Sequence, residues 1–144
     1  MPKSTSASNS VIALVFNGTA WADIAENDSS TPATLLYVRL HTGVVNPGDP
    51  GNTNEATYGS YAAESVARTT GGWVAPSGGA TSNVAAILFD ECTSGTNLIT
   101  HVSINTQPTG TGACLYTGAL SAPRTISAGI QPQFAIGALD VTES

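Results

Sequence analysis

His41 and His101 are the residues of this chain best suited to proton transfer or metal binding, and each falls in a stretch where apolar and polar residues alternate as in a strand. A catalytic or ligating histidine needs a second ligand or an orienting carboxylate. No neighbour in sequence supplies one, so both read as structural. Asp90 and Glu91 are adjacent in a predicted strand and point to opposite faces, so they cannot share a proton or an ion. The oxygen-rich series Asp49, Asn52, Asn54 and Glu55 misses the spacing of an EF-hand and reads as a solvated loop. Gly110-Thr111-Gly112 lacks the lysine and following helix of a phosphate cradle, and Ser60 and Ser65 lack the G-x-S-x-G context of a nucleophile elbow. Cys92 and Cys114 form no C-x-x-C and have no nearby histidine, which argues against zinc. They are expected as thiols, with a disulfide as the alternative. The expectation is therefore no catalytic residue, no cofactor and no metal.

Charge is scarce. Charged residues make up 10% of the 144 residues, against the ~25% of an average chain, and ten acidic residues outnumber four fixed cations for a net charge of −6. Lys3, Arg39, Arg68 and Arg124 are too few and too scattered to track a phosphate backbone, so nucleic acid is not an expected partner. A surface built from Ser, Thr and Gly rather than Lys and Glu suits permanent contact, because burying a flexible charged side chain costs desolvation and rotamer entropy. Arg39 in mid-strand reads as an internal ion-pair partner or an interface residue. Glu64 and Arg68 share a strand face, and an ion pair between them that pins a sheet edge is the favoured reading over a partner contact.

The elements that must position these residues follow from pattern. In Thr34 to Thr42 the apolar Leu36, Val38 and Leu40 alternate with Tyr37, Arg39 and His41, which predicts a strand with one packed and one wetter face. Pro47, Gly48, Asp49, Pro50, Gly51 and Asn52 make Gly43 to Asn54 a long connection, after which a strand ends at Arg68. Residues 1–9 read as a flexible arm. Val11 to Phe16 is either a short helix, capped by Ser8 or Ser10 and stopped by Gly18, or a first strand. Asn83 to Asp90 is the most apolar run and reads as a core strand buried on both faces, with Val84, Ala86 and Leu88 inside alongside Val102 and Ile104. Asn97 to Asn105 alternates, and the loop Gln107 to Gly112 makes it a hairpin with Ala113 to Leu120; Arg124 to Ile130 and Gln133 to Val141 supply two further strands. About eight strands with turn signals every eight to twelve residues predict an all-β antiparallel sandwich, jelly-roll-like, with at most one short N-terminal helix and one domain over residues 10–144. No window reaches the ~18 apolar residues of a membrane span and no secretory h-region precedes the domain, so synthesis in a cytoplasm is expected and a membrane partner is not.

The runs LYVRLHTGVVNPGDPGNTNEATYGSYAAESVAR, ILFDECTSGTNLITHVSI and ISAGIQPQFAIGALDV together resemble small virion proteins of tailed bacteriophages, of the tail-fibre-like, head-fibre and capsid cement or decoration kinds. The resemblance runs from about residue 34 to the end. It rests on the L-H-T before a Pro/Gly loop, the N-E-x-x-Y-x-x-Y before an Arg-ending strand, and the late F-x-x-G-x-L, with Cys92 as a departure. In particular the chain is similar to the jelly-roll cement protein on the heads of Bordetella phage. That resemblance implies a structural virion protein on the outer capsid surface, made in the host cytoplasm, which clamps the major capsid protein and forms a homodimer or higher homo-oligomer. Candidate interface residues are Arg39, Asn46, Pro47, Asp49, Asn54, Tyr58, Tyr61, Glu64 and Arg68. The alternative is a tail-associated or head-fibre receptor-binding protein. Its expected mark, aromatic residues at the tips of the Gly43 to Asn54 and Gln107 to Gly112 loops, is missing from both.

Overall fold

The computed structural model describes residues 3–22, 24–25, 27, 32–46, 52–110 and 112–143. In chain order these form helix α1 (Thr5–Asn17) and strands β1 (Leu35–His41), β2 (Glu64–Ala67), β3 (Ala80–Ser82), β4 (Ile87–Leu88), β5 (Thr96–Asn105), β6 (Cys114–Ser127), β7 (Gln133–Phe134) and β8 (Asp140–Thr142). One sheet has the order β2-β1-β5-β6, while β3 pairs with β8 and β4 with β7. The β1/β5, β5/β6 and β3/β8 ladders are all antiparallel. Eight strands and one short N-terminal helix make this the all-β, antiparallel class expected, and the pairing fits a sandwich. The chain forms two compact units, Met1–Leu35 with Val66–Ile87 and Phe134–Ser144, and Leu36–Ser65 with Leu88–Gln133.

In the first unit α1 settles the helix-or-strand choice, and it begins earlier than the pattern suggested. Ser4, not Ser8 or Ser10, is the N-cap, its Oγ accepting from the Ala7 N–H at 3.1 Å. Thr5 to Asn9, expected within a loose arm, therefore form the first helical turns. The reason is spacing: Ser8, Ile12 and Phe16 recur every four residues and are the buried stripe, so a small serine serves where the pattern suggested a polar tail. Gly18 closes the helix in the left-handed region at φ 64°, and the next N–H, of Thr19, reaches back to the Ala13 carbonyl at 3.0 Å. Arg68 completes the cap. Its Nε and Nη2 donate to the carbonyls of Val15 and Leu14, and its Nη1 to Asn27 and Ala33, which places a cation at the negative end of the helix. The expected Glu64–Arg68 pair does not form; the last-turn carbonyls hold the guanidinium instead.

Trp73, fully buried, packs edge-on against Phe16 with ring centroids 4.8 Å apart, and its carbonyl accepts from Asn17 Nδ2. Asn83 is a second internal anchor. Its Nδ2 donates to Ala85 and Ala135 and its Oδ1 accepts from the Leu139 N–H, so a buried amide is satisfied at three positions.

The run from Asn83 to Asp90 departs from expectation. Only Ile87–Leu88 is strand, and Val84, Ala86 and Leu88 are exposed while Asn83, Ile87 and Phe89 are buried. The inward parity is the opposite of the one assigned, because a continuous apolar run carries no period from which to read its register.

In the second unit Leu36, Val38 and Leu40 of β1 meet Val102 and Ile104 of β5 on one face, all buried. The register of β5 against β6 shifts between Ile99 and His101. Ile99 is therefore buried and Leu98 is 52% exposed ahead of the shift, whereas Val102 and Ile104 face inward after it, which breaks the unbroken alternation expected of Asn97 to Asn105. The same irregularity merges two expected strands into one: Arg124 pairs with Ile99 and Ala119 with His101, so Leu120 to Pro123 stand opposite Thr100 alone. Pro123 has no N–H to give a ladder and is tolerated there. The β5–β6 loop is the hairpin predicted, closed by the Thr106 N–H on the Ala113 carbonyl and by Gly112, where a Cβ would strike Gln107 at 2.6 Å.

Candidate functional site

The second face of β1, expected to be the wetter one, is sealed. Arg39 and His41 are both 0% exposed. They pair in register with Ser103 and His101, and Ser103 and Asn105 on β5 are buried beside them. The cover is the chain returning from the long loop: the Ala56 N–H donates to the Leu40 carbonyl, the Thr42 N–H to the Asn54 carbonyl, and Glu55 bridges His41. Backbone bonding along the β1 edge thus lays Thr53, Glu55 and Tyr61 over the polar row.

Within this cluster Arg39 Nη1 stands 3.6 Å from Glu55 Oε2 and its Nη2 donates to the Gln107 carbonyl at 2.6 Å. Tyr61 donates to Glu55 and accepts from the Leu40 N–H. Burial pushes the Glu55 carboxyl above its ordinary range, more than Arg39 and the Tyr61 hydroxyl draw it down. Burial and then the Glu55 charge drive the Tyr61 phenol far up. His41 Nδ1 faces the Thr53 carbonyl at 2.9 Å, which only accepts, so Nδ1 carries the proton and Nε2 accepts from Ser103 Oγ at 2.7 Å. Asn105 Nδ2 donates to the same Oγ.

A hydroxyl on an imidazole that is oriented by an acceptor is the arrangement of a nucleophile and its base. Here Ser103 is 1% exposed, so its hydroxyl is closed off from solvent. The pair ties β1 to β5 across the buried face. Burial holds the His41 pKa below 6.5, with Arg39 and His101 adding to the effect and the Thr53 carbonyl opposing it.

The sign of its pH dependence follows. The unfolded chain binds the proton more readily than the folded one, so stability falls as pH drops through 6.5 toward the folded value. Glu55 and Glu64, whose folded values lie above 4.5, contribute in the opposite sense and are most favourable below 4.5. Urea midpoints measured at pH 7.5 and 5.5 are expected to fall on acidification. His41→Asn should fall by less across that interval; equal slopes in the two proteins would show that His41 carries none of it.

The nine candidate interface residues separate. Arg39 and Tyr58 are buried within the chain. The Tyr58 OH donates to the Asp90 carbonyl and its N–H to Asn97 Oδ1, and burial followed by the Cys92, Asp90 and Glu64 charges pushes its phenol up to about 12. Tyr61 is half-buried in the cluster, stacked on Phe89 and edge-on to Tyr58. Arg68 is held by α1. Glu64 is half-buried and its carboxyl is raised by burial and by Asp90. Asn46 and Asn54 are exposed, and Asn54, at φ 55°, closes the loop base through Nδ2 on the Val44 carbonyl. Pro47 and Asp49 lie outside the described residues.

Cys92 is a buried thiol against the Ser94 and Gly95 carbonyls, and Cys114 Sγ lies against the Tyr116 carbonyl. Among the described residues no group of three or more His, Cys, Asp or Glu side chains is placed to hold a metal ion. Among the described residues no helix is long and apolar enough to cross a membrane.

Ser103, Asn105 and Thr53 were missed from sequence. The legible signal was parity: Arg39 and His41 on one strand and Ser103 and Asn105 on its partner are polar rows of period two, and two such rows can share a face.

Antiparallel ladders around an inward-facing polar cluster make this an all-β protein. The family model of the podophage GP4 fiber I protein gp80 matches residues 2–142, and the chain belongs to that family. It is a structural protein of a bacteriophage virion, as the resemblance implied at that level. The match does not extend to the likeness with the cement protein of Bordetella phage. No curated protein matches the chain.

Proposed function

We propose that the protein is a non-enzymatic subunit of a fibre-type assembly on the outside of a podophage virion, held by permanent protein contacts. The family match over residues 2–142 carries this reading. Two physical features support it. The Ser103–His41 hydroxyl–imidazole pair is closed off from solvent, and a net charge of −6 is compatible with the outside of a particle and unfavourable against packaged DNA.

A second reading, capsid cement that binds the major capsid protein and stabilises subunit junctions, is favoured by the charge-poor surface, which suits contact repeated over a shell. Quantitative mass spectrometry of purified particles separates the two. A fibre subunit is expected at a small fraction of the major capsid protein's copy number, and particles lacking it should lose adsorption while keeping their DNA on heating. Copies at a simple ratio to the capsid protein, with heat-labile particles that still adsorb, would replace the fibre reading by cement.

A further inference from the structure

Strand β6 is an edge strand of its sheet, as β2 is at the other end. It has β5 on one side and no strand on the other among the described residues. At 14 residues it is more than twice the ~5–6 of a usual strand. Its exposure does not alternate: Thr117, Gly118 and Ala119 are all exposed, as are Ser121 to Thr125, so residues of both faces reach solvent there. A Cβ built on Gly118 would meet nothing within 4 Å. Natural edges are usually blunted by charged side chains, proline or a bulge. Here Pro123 and the register shift blunt only the second half, and the stretch from Leu115 to Ala119 carries no such device.

The occupant is indicated by charge. All ten carboxylates lie in residues 1–91 and 140–144, so residues 92–139 hold no Asp or Glu and one fixed cation, Arg124. Two bodies of charge −6 repel wherever their acidic surfaces meet. Contact through this hairpin puts no carboxylate on either of the strands that pair. Pairing a strand antiparallel with its own copy also closes: both open edges are consumed about one two-fold axis and growth stops at two.

We propose that the free edge of β6 docks a second copy of this chain, whose own β6 adds antiparallel to it near Gly118 and continues the sheet. The inference deepens the virion-subunit reading and rests on it for its setting.

Sedimentation velocity of the full chain should give a concentration-dependent species of twice 14.5 kDa. Thr117→Lys with Ala119→Lys sets like charges opposite one another across the axis and should weaken association by roughly tenfold or more. Lysines placed instead at the exposed Ser77 and Thr142 should leave it unchanged. Hydrogen exchange of the unmodified chain, dilute against concentrated, should protect amides of residues 115–119, a readout that stands even if the lysine variant fails to fold. A monomer at every concentration, a dimer indifferent to the β6 lysines, or protection confined elsewhere would overturn the inference. Protection of β6 only within particles would do so too, by giving the edge to another virion protein. None of those results would disturb the family assignment or the copy-number test.

Discussion

Replacing Glu55 by Gln should lower the free energy of unfolding by about 3 kcal/mol, and adding Arg39→Met to the same chain should return most of the loss. Arg39 is entirely buried, 3.6 Å from a carboxylate that keeps 21% of its side-chain surface in water. Because burial raises the Glu55 carboxyl despite Arg39, the attraction between them does not repay the desolvation of the Glu55 carboxylate. The contribution of Glu55 lies elsewhere, in balancing a guanidinium that the fold has already buried. Gln keeps the shape and can still accept from Tyr61, so the variant isolates the charge.

Met at position 39 then fills a similar volume without charge, and a buried pair replaced by apolar groups is often neutral or better. Urea unfolding of the two single variants and the double variant closes a thermodynamic cycle. A coupling near zero, with the losses simply adding, would show that the Gln107 carbonyl and its surroundings balance Arg39 without Glu55.

The same pair shows which parts of the fold could be read in advance. The rhythm of alternation placed β1, β5 and the hairpin loop, because a strand with one apolar face repeats every second residue. It could not say that the polar face of β1 would also be covered. That cover comes from residues 53–61 returning along the β1 edge, a contact set by chain path rather than by local pattern. Arg39 was rightly suspected of an internal pair, but the partner, Glu55, sits across a loop in which spacing carries no information.

Arg68 was assigned to Glu64 by strand parity and went to the end of α1, since four carbonyl and amide acceptors outbid one half-exposed carboxylate. Apolar content alone misled at Val84, Ala86 and Leu88, and the shift at Thr100 is invisible in a sequence that alternates through it. Alternation shows that a face exists. Register and bulges decide which residues occupy it.

Trp73→Ala should remove about 3–5 kcal/mol, a large part of the ~5–15 kcal/mol of an ordinary domain. Trp73 is the largest fully buried side chain and the surface on which Phe16 rests edge-on, so truncation opens a cavity beneath α1. The helix has little with which to compensate, since its buried stripe is only Ser8, Ile12 and Phe16. Trp73→Phe should cost less than half as much. It preserves a ring against Phe16, and it deletes an indole N–H that is buried with no hydrogen-bond partner and whose desolvation is already unfavourable in the folded chain. Urea midpoints ordered wild type, Phe, Ala, with helical circular dichroism lost at lower urea in the Ala variant, are the expected result. A Phe variant as unstable as the Ala variant would mean that the full indole volume, rather than the aromatic contact with α1, is what the first unit requires.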